Sequence, residues 1–302
     1  MKTTALSHGA ATIVCAFATG KGAAFGLDFE TKASVRLRED GKINAKIMGH
    51  PHESTLLLES CVKRVMERFR MPYGADIITE SNIPIAAGLK SSSTAANAAC
   101  LALYAAVARE RGKMVEGDRR QKIFVGSKEV DALSIIKTGI KAAFDAKVTV
   151  TGAFDDASAS YFGGYTVTDN KKQEIKARGR MDDLNALIFL PKGRVYSGDV
   201  DVKKLKRIAK EVDVAWKEAL QGKIFRAMTT NGLLHSLAFK QNPEITLAAL
   251  KAGALACGLS GTGPAVVALT YGRAGEIKDA WQAFEGKILT AKTNNSEARV
   301  LT

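Results

Sequence analysis

One segment of the sequence combines small residues, consecutive hydroxyl side chains and the start of a predicted helix. Residues 81–94 read Ser-Asn-Ile-Pro-Ile-Ala-Ala-Gly-Leu-Lys-Ser-Ser-Ser-Thr, between a strand-like run and a long apolar run. Small side chains let an anion approach the backbone, and the free N–H groups of a first helical turn favour negative charge. A single serine would suffice as a helix cap, so four consecutive hydroxyls favour a phosphate-binding loop. It is not a Walker A motif, because Ile83 stands where that motif requires glycine.

Two further segments carry weaker signals. Asp155 and Asp156 are adjacent carboxylates among small and apolar residues, and burying them without a partner would be costly. Such a pair is consistent with an exposed turn or with a catalytic site. The glycine-rich segment 258–265 precedes a strand-like run and, taken alone, fits an ordinary turn as well as a binding loop.

In their order along the chain, the three segments resemble the GHMP kinase superfamily. The resemblance rests on Pro-x-x-x-Gly-Leu-x-Ser-Ser-Ser from residue 84, Gly-x-x-Asp from residue 152 followed by Gly-Gly, and Gly-x-Ser-Gly-x-Gly-Pro from residue 258. It spans nearly the whole chain. Within the superfamily, residues 9–22, 83–93 and 148–157 are most similar to archaeal-type shikimate kinases. The resemblance implies a ribosomal-protein-like domain followed by a ferredoxin-like domain, with the active site in the cleft between them.

The resemblance also implies ligands and residue roles. ATP and Mg²⁺ would bind, and shikimate would be phosphorylated on its 3-hydroxyl, with Ser92 contacting the metal. Asp155 would accept or orient the proton of the attacking hydroxyl, and Lys21 would hold that carboxylate ionised and offset the charge on the transferred group. The residues expected around the ATP phosphates are Pro84, Ile85, Ala86, Ala87, Gly88, Leu89, Lys90, Ser91, Ser92, Ser93 and Thr94, with Gly261, Thr262 and Gly263 closing the phosphate end.

Several alternatives stay open at this point. Asp156 could be the acidic residue instead of Asp155, because the spacing to the Gly-Gly pair varies in the family. Lys90 could place a cation beside the phosphates or point to solvent. Some members work without a strong base, through positioning and electrostatics. Lys21 is a candidate for the substrate carboxylate, with a flexible turn as the other interpretation.

The charge of the chain favours anionic small molecules over polyanions. Lys and Arg number 44 against 31 Asp and Glu, a formal net charge of +13, divided as +7 in residues 1–150 and +6 in residues 151–302. There is no basic arm, and the basic stretch 171–180, predicted to be a solvated and mobile connection, has no aromatic residue to stack on bases. No nucleic-acid or membrane partner is expected. A non-catalytic RNA-binding protein is the remote alternative and homoserine kinase the nearer one.

Apolar periodicity predicts a mixed α+β fold with sheet at the start of the chain. We expect two domains, residues 1–168 and 169–302, with the boundary between about 165 and 180. Predicted strands are 12–17, 33–37, 43–47, 75–80, 147–151, 184–190, 265–270 and 287–291, with residues 20–26 as a turn. Predicted helices are 54–69, 92–109, 127–143, 202–220, 223–236, 243–257 and 275–284, of which 92–109 is apolar almost all round and should be central.

The cysteines suggest the compartment. Cys15, Cys61, Cys100 and Cys257 are far apart, with neither zinc spacing nor a disulfide pattern, which favours reduced, mostly buried thiols in a cytoplasmic protein. Two uncharged runs approach membrane-spanning length, but hydroxyls in one and glycines in the other argue against insertion. The sequence makes no prediction of oligomeric state.

Overall fold

The computed structural model describes residues 1–111, 113–115, 122–125, 128–192 and 202–302. Its strands are β1 (Lys2–Val14), β2 (Lys21–Arg38), β3 (Ile43–Ile47), β4 (Gly74–Ser81), β5 (Lys113–Val115), β6 (Lys122–Val125), β7 (Lys128–Val130), β8 (Tyr165–Asp169), β9 (Glu174–Gly179), β10 (Asn185–Pro191), β11 (Ala256–Leu259), β12 (Val266–Thr270), β13 (Gly286–Lys292) and β14 (Arg299–Val300). Its helices are α1 (Leu56–Phe69), α2 (Ser91–Arg111), α3 (Ala132–Asp145), α4 (Phe154–Phe162), α5 (Val202–Arg207), α6 (Ala209–Leu220), α7 (Ile224–Ala238), α8 (Glu244–Lys251) and α9 (Ala274–Trp281).

The first sheet is built around the long strands β1 and β2. Its order is β14-β1-β2-β4-β3, with β8 added on β2 and β9 on β8, and all pairs are antiparallel except β3 with β4. Helices α1, α2 and α4 pack on one face of this sheet and α3 packs on these helices, around a core that includes Val35, Ile77 and Tyr104. Helices α6 and α7 of the second half contact β1 from the opposite side. The first sheet is therefore covered on both faces around β1 and the start of β2, whereas one face of β3, β4 and the end of β2 is exposed, as at Arg36 and Ile78.

Helix α2 is the central element that the sequence predicted. Its composition is apolar almost all round, and every residue from Ala96 to Ala108 is buried. It packs against β1, β2, α1 and α3. Its N-terminus, which follows the predicted phosphate loop, is consequently fixed against the middle of the first sheet.

The second sheet has the order β11-β12-β10-β13, with all neighbours antiparallel. One face packs on α8 and α9, where Phe189 and Trp281 lie in contact. The other side shares a continuous apolar core with β1, β2 and β8 of the first sheet, formed in part by Ile13, Phe25 and Trp216. The two halves are thus joined by buried apolar surface, and the mixed α+β architecture agrees with the prediction.

The first sheet continues beyond residue 168, at which we expected the first domain to end. Strand β9 extends the first sheet to Gly179, and the second sheet starts with β10. The basic stretch 171–180 was therefore wrongly expected to be a mobile connection. In β9, Ile175 and Ala177 are half-buried while Lys176 and Arg178 between them are exposed, which is the alternation of an edge strand with a charged outer face. The end of the chain also returns to the first sheet, as β14 beside β1.

Other local predictions were partly wrong. Residues 21–26, expected to be a turn, are the start of β2, and their small side chains allow α4 to approach closely. Residues 147–151, expected to be a strand, form bends, and residues 152–164 contain α4. The helix expected from Ser127 begins at Ala132, and Ser127 itself lies outside the described residues. The helix expected over 202–220 is broken between α5 and α6.

The structure also describes the four cysteines and the long apolar runs that the sequence singled out. Cys15, Cys61, Cys100 and Cys257 are free and buried. Among the helices described, none combines the length and the apolar character needed to cross a bilayer.

Candidate active site

The predicted phosphate loop connects β4 to α2, and its alternate residues face opposite ways. Ala87 and Leu89 are buried in the core shared by the two halves, while Ala86, Gly88 and Lys90 between them line a cavity. These three residues all have positive φ angles, of 56°, 81° and 65°. For the alanine and the lysine that conformation is strained, and such strain concentrates at functional sites.

The first turn of α2 offers hydrogen-bond donors to this cavity. The first backbone bond of the turn runs from Thr94 N–H to Lys90 O, so the N–H groups of Ser91, Ser92 and Ser93 have no acceptor within the helix. All three serines line the cavity. Thr94 does not, because it is fully buried and its hydroxyl donates to the backbone oxygens of Lys90 and His8.

The glycine-rich loop before β12 is fastened to the phosphate loop through Ser260. The Ser260 hydroxyl donates to Gly88 O at 2.7 Å and accepts from Thr12 N–H at 3.1 Å, while Gly261 N–H donates to the Thr12 hydroxyl at 2.9 Å. A Cβ on Gly88 would fall 2.4 Å from Ser260 O, so only glycine permits this approach. The loop thereby brings Gly261, Thr262 and Gly263 to the cavity.

The two aspartates lie in the first turn of α4, and both line the same cavity. Asp155 is 4% exposed, and its oxygen Oδ2 lies against Gly22 of β2, where a Cβ would be only 2.1 Å away. Asn170, just beyond β8, donates from Nδ2 to Asp155 Oδ1 at 2.7 Å. The exposed turn is therefore excluded: Asp155 is buried and Asp156 half-buried beside the phosphate loop.

The surroundings of Asp155 suit proton transfer near neutral pH. Burial, followed by the charge of Asp156, raises the pKa of Asp155 to about 7, against the opposing effects of Lys90 and Asn170. A carboxylate with a pKa close to the working pH can take up a proton in a transition state and release it afterwards.

Lys90 is the cation that faces this carboxylate pair. Its Nζ lies 3.0 Å from Asp156 Oδ1, and the two side chains are 8% and 15% exposed. Burial alone would lower the pKa of Lys90, but the charges of Asp156 and Asp155 outweigh it and raise that pKa, so the ammonium stays charged. The sequence left open whether Lys90 points to solvent or toward the phosphate site; the structure excludes the orientation toward solvent.

Lys21 does not make the contact with Asp155 that the sequence reasoning expected. Successive residues of a strand face opposite sides, so Gly22 faces Asp155 and Lys21 faces the second half of the chain. There its Nζ lies 2.7 Å from Asp213 Oδ1 and 4.6 Å from the ring centre of Trp216. Lys90 takes the position beside the carboxylates that was predicted for Lys21.

The bends between α3 and α4 form a further wall of the cavity. The sequence did not indicate this wall, because these residues were expected to form a strand. Lys147 to Ala153 line it, and the Thr149 and Thr151 hydroxyls accept from Gly152 N–H and Ala153 N–H at 3.0 and 3.3 Å. Those hydroxyl bonds fold the segment into turns, which explains why alternating Val and Thr did not produce a strand. Lys147 is exposed, has a φ of 57° and has no ion-pair partner in the described part of the chain.

The cavity has a volume of about 360 Å³ and collects most of the predicted site. Ten predicted residues line it: Ala86, Gly88, Lys90, Ser91, Ser92, Ser93, Asp155, Gly261, Thr262 and Gly263. Six do not: Lys21, Pro84, Ile85, Ala87, Leu89 and Thr94. Sequence reasoning missed Asn170 entirely. The available signal was the polar set Thr166, Thr168 and Asn170 at every second position, all buried although such an alternation normally faces solvent.

The donor set fits a magnesium ion that arrives with a nucleotide. Ser92 is exposed on the cavity wall at the start of α2. The described ranges contain no group of three or more His, Cys, Asp or Glu that could hold a metal ion by themselves. Mg²⁺ at phosphate-transfer sites is held mainly by the phosphates and water with one or two protein oxygens, so a single hydroxyl is an adequate ligand from this loop.

Comparison with known proteins places this geometry in a family. The profiles for the GHMP kinases N terminal domain and the GHMP kinases C terminal region match residues 56–164 and 217–287. Shikimate kinase of Methanosarcina acetivorans is 44% identical over 97% of this chain and 95% of its own. Shikimate kinase of Methanothermobacter thermautotrophicus is 37% identical over 100% of this chain and 99% of its own.

Solved structures agree on the fold. Homoserine kinase from Cytophaga hutchinsonii superposes with a TM-score of 0.71 at 17% identity, over 99% of this chain and 97% of that one. Mevalonate kinase from Methanococcus jannaschii gives 0.70 at 14% identity, over 97% and 98%. The phosphate loop and the aspartate pair both fall in the segment matched by the N-terminal profile. With the matched profiles and the full-length relatives, these observations show that the chain belongs to the GHMP kinase family.

Proposed function

We propose that the protein is a shikimate kinase, which transfers the γ-phosphoryl group of ATP to the 3-hydroxyl of shikimate on the route to chorismate and the aromatic amino acids. The identity of the acceptor is supported by the curated relatives, eight of which are shikimate kinases 36–44% identical over nearly the whole chain. The observation that carries the reaction type is the cavity where the first turn of α2 and the aspartate pair meet. The reduced, buried cysteines favour the cytoplasm as its compartment.

The phosphate end of ATP would be held by the loop and the start of α2. The free N–H groups of Ser91, Ser92 and Ser93 and the positive end of the helix dipole favour an anion there. Lys90, charged and buried at the floor of the cavity, adds the cation that offsets negative charge on the transferred phosphoryl group. We therefore assign to Lys90 the electrostatic role that the sequence predicted for Lys21.

Asp155 would act on the acceptor. Its carboxylate takes the proton of the 3-hydroxyl as the hydroxyl oxygen forms a bond to the γ-phosphorus and the bond from that phosphorus to the bridging oxygen of ADP breaks. With a pKa of about 7, Asp155 is ionised in a large share of molecules at neutral pH and remains basic enough to accept a proton. Activity should consequently fall as the pH decreases through about 7.

Mg²⁺, held by the phosphates with help from the Ser92 hydroxyl, would neutralise charge on the triphosphate. The remaining work of the chain is positional. The Ser260 bonds hold the glycine-rich loop before β12 against the phosphate loop. The strained backbone at Ala86 and Lys90 keeps these two residues turned toward the cavity. Positioning of this kind can supply a large share of the rate acceleration of a phosphoryl transfer.

The test is an acceptor panel with purified protein. Mg-ATP is incubated with shikimate, homoserine or mevalonate, ADP release is followed by a coupled assay, and the product with shikimate is identified by phosphorus and proton NMR. We expect ADP release with shikimate and phosphate on the 3-hydroxyl. Asp155→Asn serves as the control for activity from a contaminating kinase, because its rate should fall by about 10²–10⁴-fold.

Two outcomes would overturn the proposal. ADP release with homoserine but not shikimate would reassign the acceptor to that of a homoserine kinase, the alternative retained from the sequence. If a folded protein that binds Mg-ATP releases no ADP with any of the three compounds, all three are rejected as its acceptor.

A further inference from the structure

Asn170 makes three hydrogen bonds through its side chain, and all of them concern the position of Asp155. Its Nδ2 donates to Asp155 Oδ1 at 2.7 Å, and its Oδ1 accepts from Asp155 N–H at 3.2 Å and from the Thr168 hydroxyl at 2.6 Å. Rotating the amide by 180° would set its oxygen against the carboxylate and its NH₂ against the backbone N–H of Asp155, which can only donate. Only one orientation is therefore compatible with these partners.

The amide is itself firmly held. Asn170 is 5% exposed, and its backbone N–H donates to Gly20 O at 2.9 Å, which continues the pairing of β8 with β2. Thr168, which fixes the amide oxygen, also accepts through its backbone oxygen from the Trp216 indole N–H at 3.1 Å. Asn170 thus joins the first turn of α4 to a sheet that is anchored from both halves of the chain.

We propose that Asn170 is a positioning residue for Asp155, whose amide fixes one carboxylate oxygen and the start of α4 so that the remaining acceptor positions of the carboxylate serve the hydroxyl of the substrate. This inference rests on the proposed function. A neutral amide orients the carboxylate without the full charge that a lysine would place there, and so leaves Asp155 basic enough to take up a proton.

The other groups that face Asp155 are accounted for. Asp156 on α4 and Lys90 on the phosphate loop carry charge toward it, and the Cys15 thiol beyond β1 is neutral because burial raises its pKa to about 12. Strands β2 and β8 present Gly22, Thr166 and Thr168 to it, none of which titrates in this range. Asn170 is thus the uncharged donor from a side chain to this carboxylate within the described residues.

The decisive variant is Asn170→Ala, studied through the pH dependence of kcat. Loss of a donor to the ionised form raises the pKa of a carboxylate, so the acidic limb should move up by about one pH unit, with about tenfold lower kcat at pH 6 and near recovery at pH 9. The KM for ATP should stay within about twofold. A carbon-13 NMR titration of the Asp155 carboxyl in the free protein should show the same shift, whatever the acceptor is.

Two further variants keep the test decisive. Thr168→Val removes the hydroxyl that fixes the amide and should move the limb in the same direction by less, which covers the case that Asn170→Ala does not fold. Asn294→Ala is the matched control, because the side chain of this buried asparagine bonds, among the described residues, to the backbone of Ser296 in its own turn, and its loss should leave the limb in place.

The outcomes separate the inference from the function on which it rests. If Asp155→Asn retains wild-type kcat, the base assignment of the proposed function fails. If Asp155→Asn is inactive but Asn170→Ala loses the same factor at every pH and leaves the carboxyl titration unchanged, Asn170 is merely structural and the inference is overturned.

Discussion

Two lysine–aspartate pairs lie on opposite sides of the start of β2, and they differ in burial more than in distance. Lys21 and Asp213 are 2.7 Å apart, with side chains 35% and 27% exposed, between the two halves of the chain. Lys90 and Asp156 are 3.0 Å apart, with side chains 8% and 15% exposed, in the cavity. The shorter contact is the more exposed one, so distance alone would rank the pairs wrongly.

Burial and the number of neighbouring cations together explain why the aspartates on the two sides have opposite pKa shifts. On the exposed side, Asp213 bonds to Lys21 and also to Lys217 at 2.9 Å, and these two cations hold its pKa below the usual range. On the buried side, burial and then the charge of Asp156 raise the pKa of Asp155 to about 7, because the single cation Lys90 only partly opposes them. The same two residue types therefore give a half-buried aspartate with a lowered pKa in one place and a buried carboxylate with a raised pKa in the other.

The largest expected effect on stability comes from removing the lysine of the buried pair, and removing the lysine of the exposed pair is the comparison. Lys90→Met leaves two buried carboxylates without their cation and should lower the free energy of unfolding by about 3–5 kcal/mol, whereas Lys21→Met should cost about 1 kcal/mol or less. Chemical denaturation at pH 7 measures both. Equal losses from the two variants would mean that burial does not distinguish the pairs.

A second effect concerns Gly22, the residue of β2 that lies against the Asp155 carboxylate. In Gly22→Ala the new Cβ would meet Asp155 Oδ2 at 2.1 Å, so Asp155 must move. A displacement near 1 Å at a reacting group can lower kcat by about 10²-fold. Gly272→Ala is the matched control, since a Cβ there meets nothing within 4 Å. Unchanged kcat in Gly22→Ala would argue against Asp155 as the group that acts on the acceptor.

Many of the residues that line the cavity on the buried side could be predicted from the sequence. Four hydroxyls at the start of an apolar helix predicted the phosphate loop, and the serines that line the cavity are those at its first turn. Helix α1 and strands β3 and β4 also follow their predicted ranges closely. These features depend on residues near one another along the chain, for which local periodicity and capping rules are sufficient.

What the sequence did not reveal depends on which face of a strand a residue occupies and on contacts between distant segments. Lys21 and Gly22 are adjacent, yet they face different halves of the molecule, and a run of small residues gave no alternation from which to predict this. Lys90 meets Asp156, and Asn170 meets Asp155, only because α2, α4 and β8 pack together. Three-dimensional register, not residue type, decides these partners.

A third prediction tests the hydrogen bonds of Ser260, which join the glycine-rich loop before β12 to the phosphate loop at the cavity. Ser260→Ala removes a donor to Gly88 O and an acceptor for Thr12 N–H, which leaves two buried backbone groups unpaired. The expected loss in unfolding free energy is about 1–3 kcal/mol, with a raised KM for ATP because the two loops separate. The control is Ser236→Ala in α7, a buried serine whose hydroxyl has no hydrogen-bond partner in the described structure. If both variants have the wild-type KM for ATP, the link between the loops does not shape the nucleotide site.

The smallest effect is expected on the exposed side, from Asp213→Asn. This change breaks bonds to two lysines that water already solvates, so the loss in unfolding free energy should be below about 1 kcal/mol and should shrink with added salt. Because the pKa of Asp213 is lowered by folding, the wild-type advantage is present above the ordinary carboxyl pKa, near 4, and is lost as the pH falls below it. Denaturation at pH 7 and pH 3, each at low and high salt, measures this. A loss at pH 7 of more than about 2 kcal/mol, beyond what exposed pairs contribute, would show that Lys21 and Asp213 interact as strongly as Lys90 and Asp156 do in the cavity.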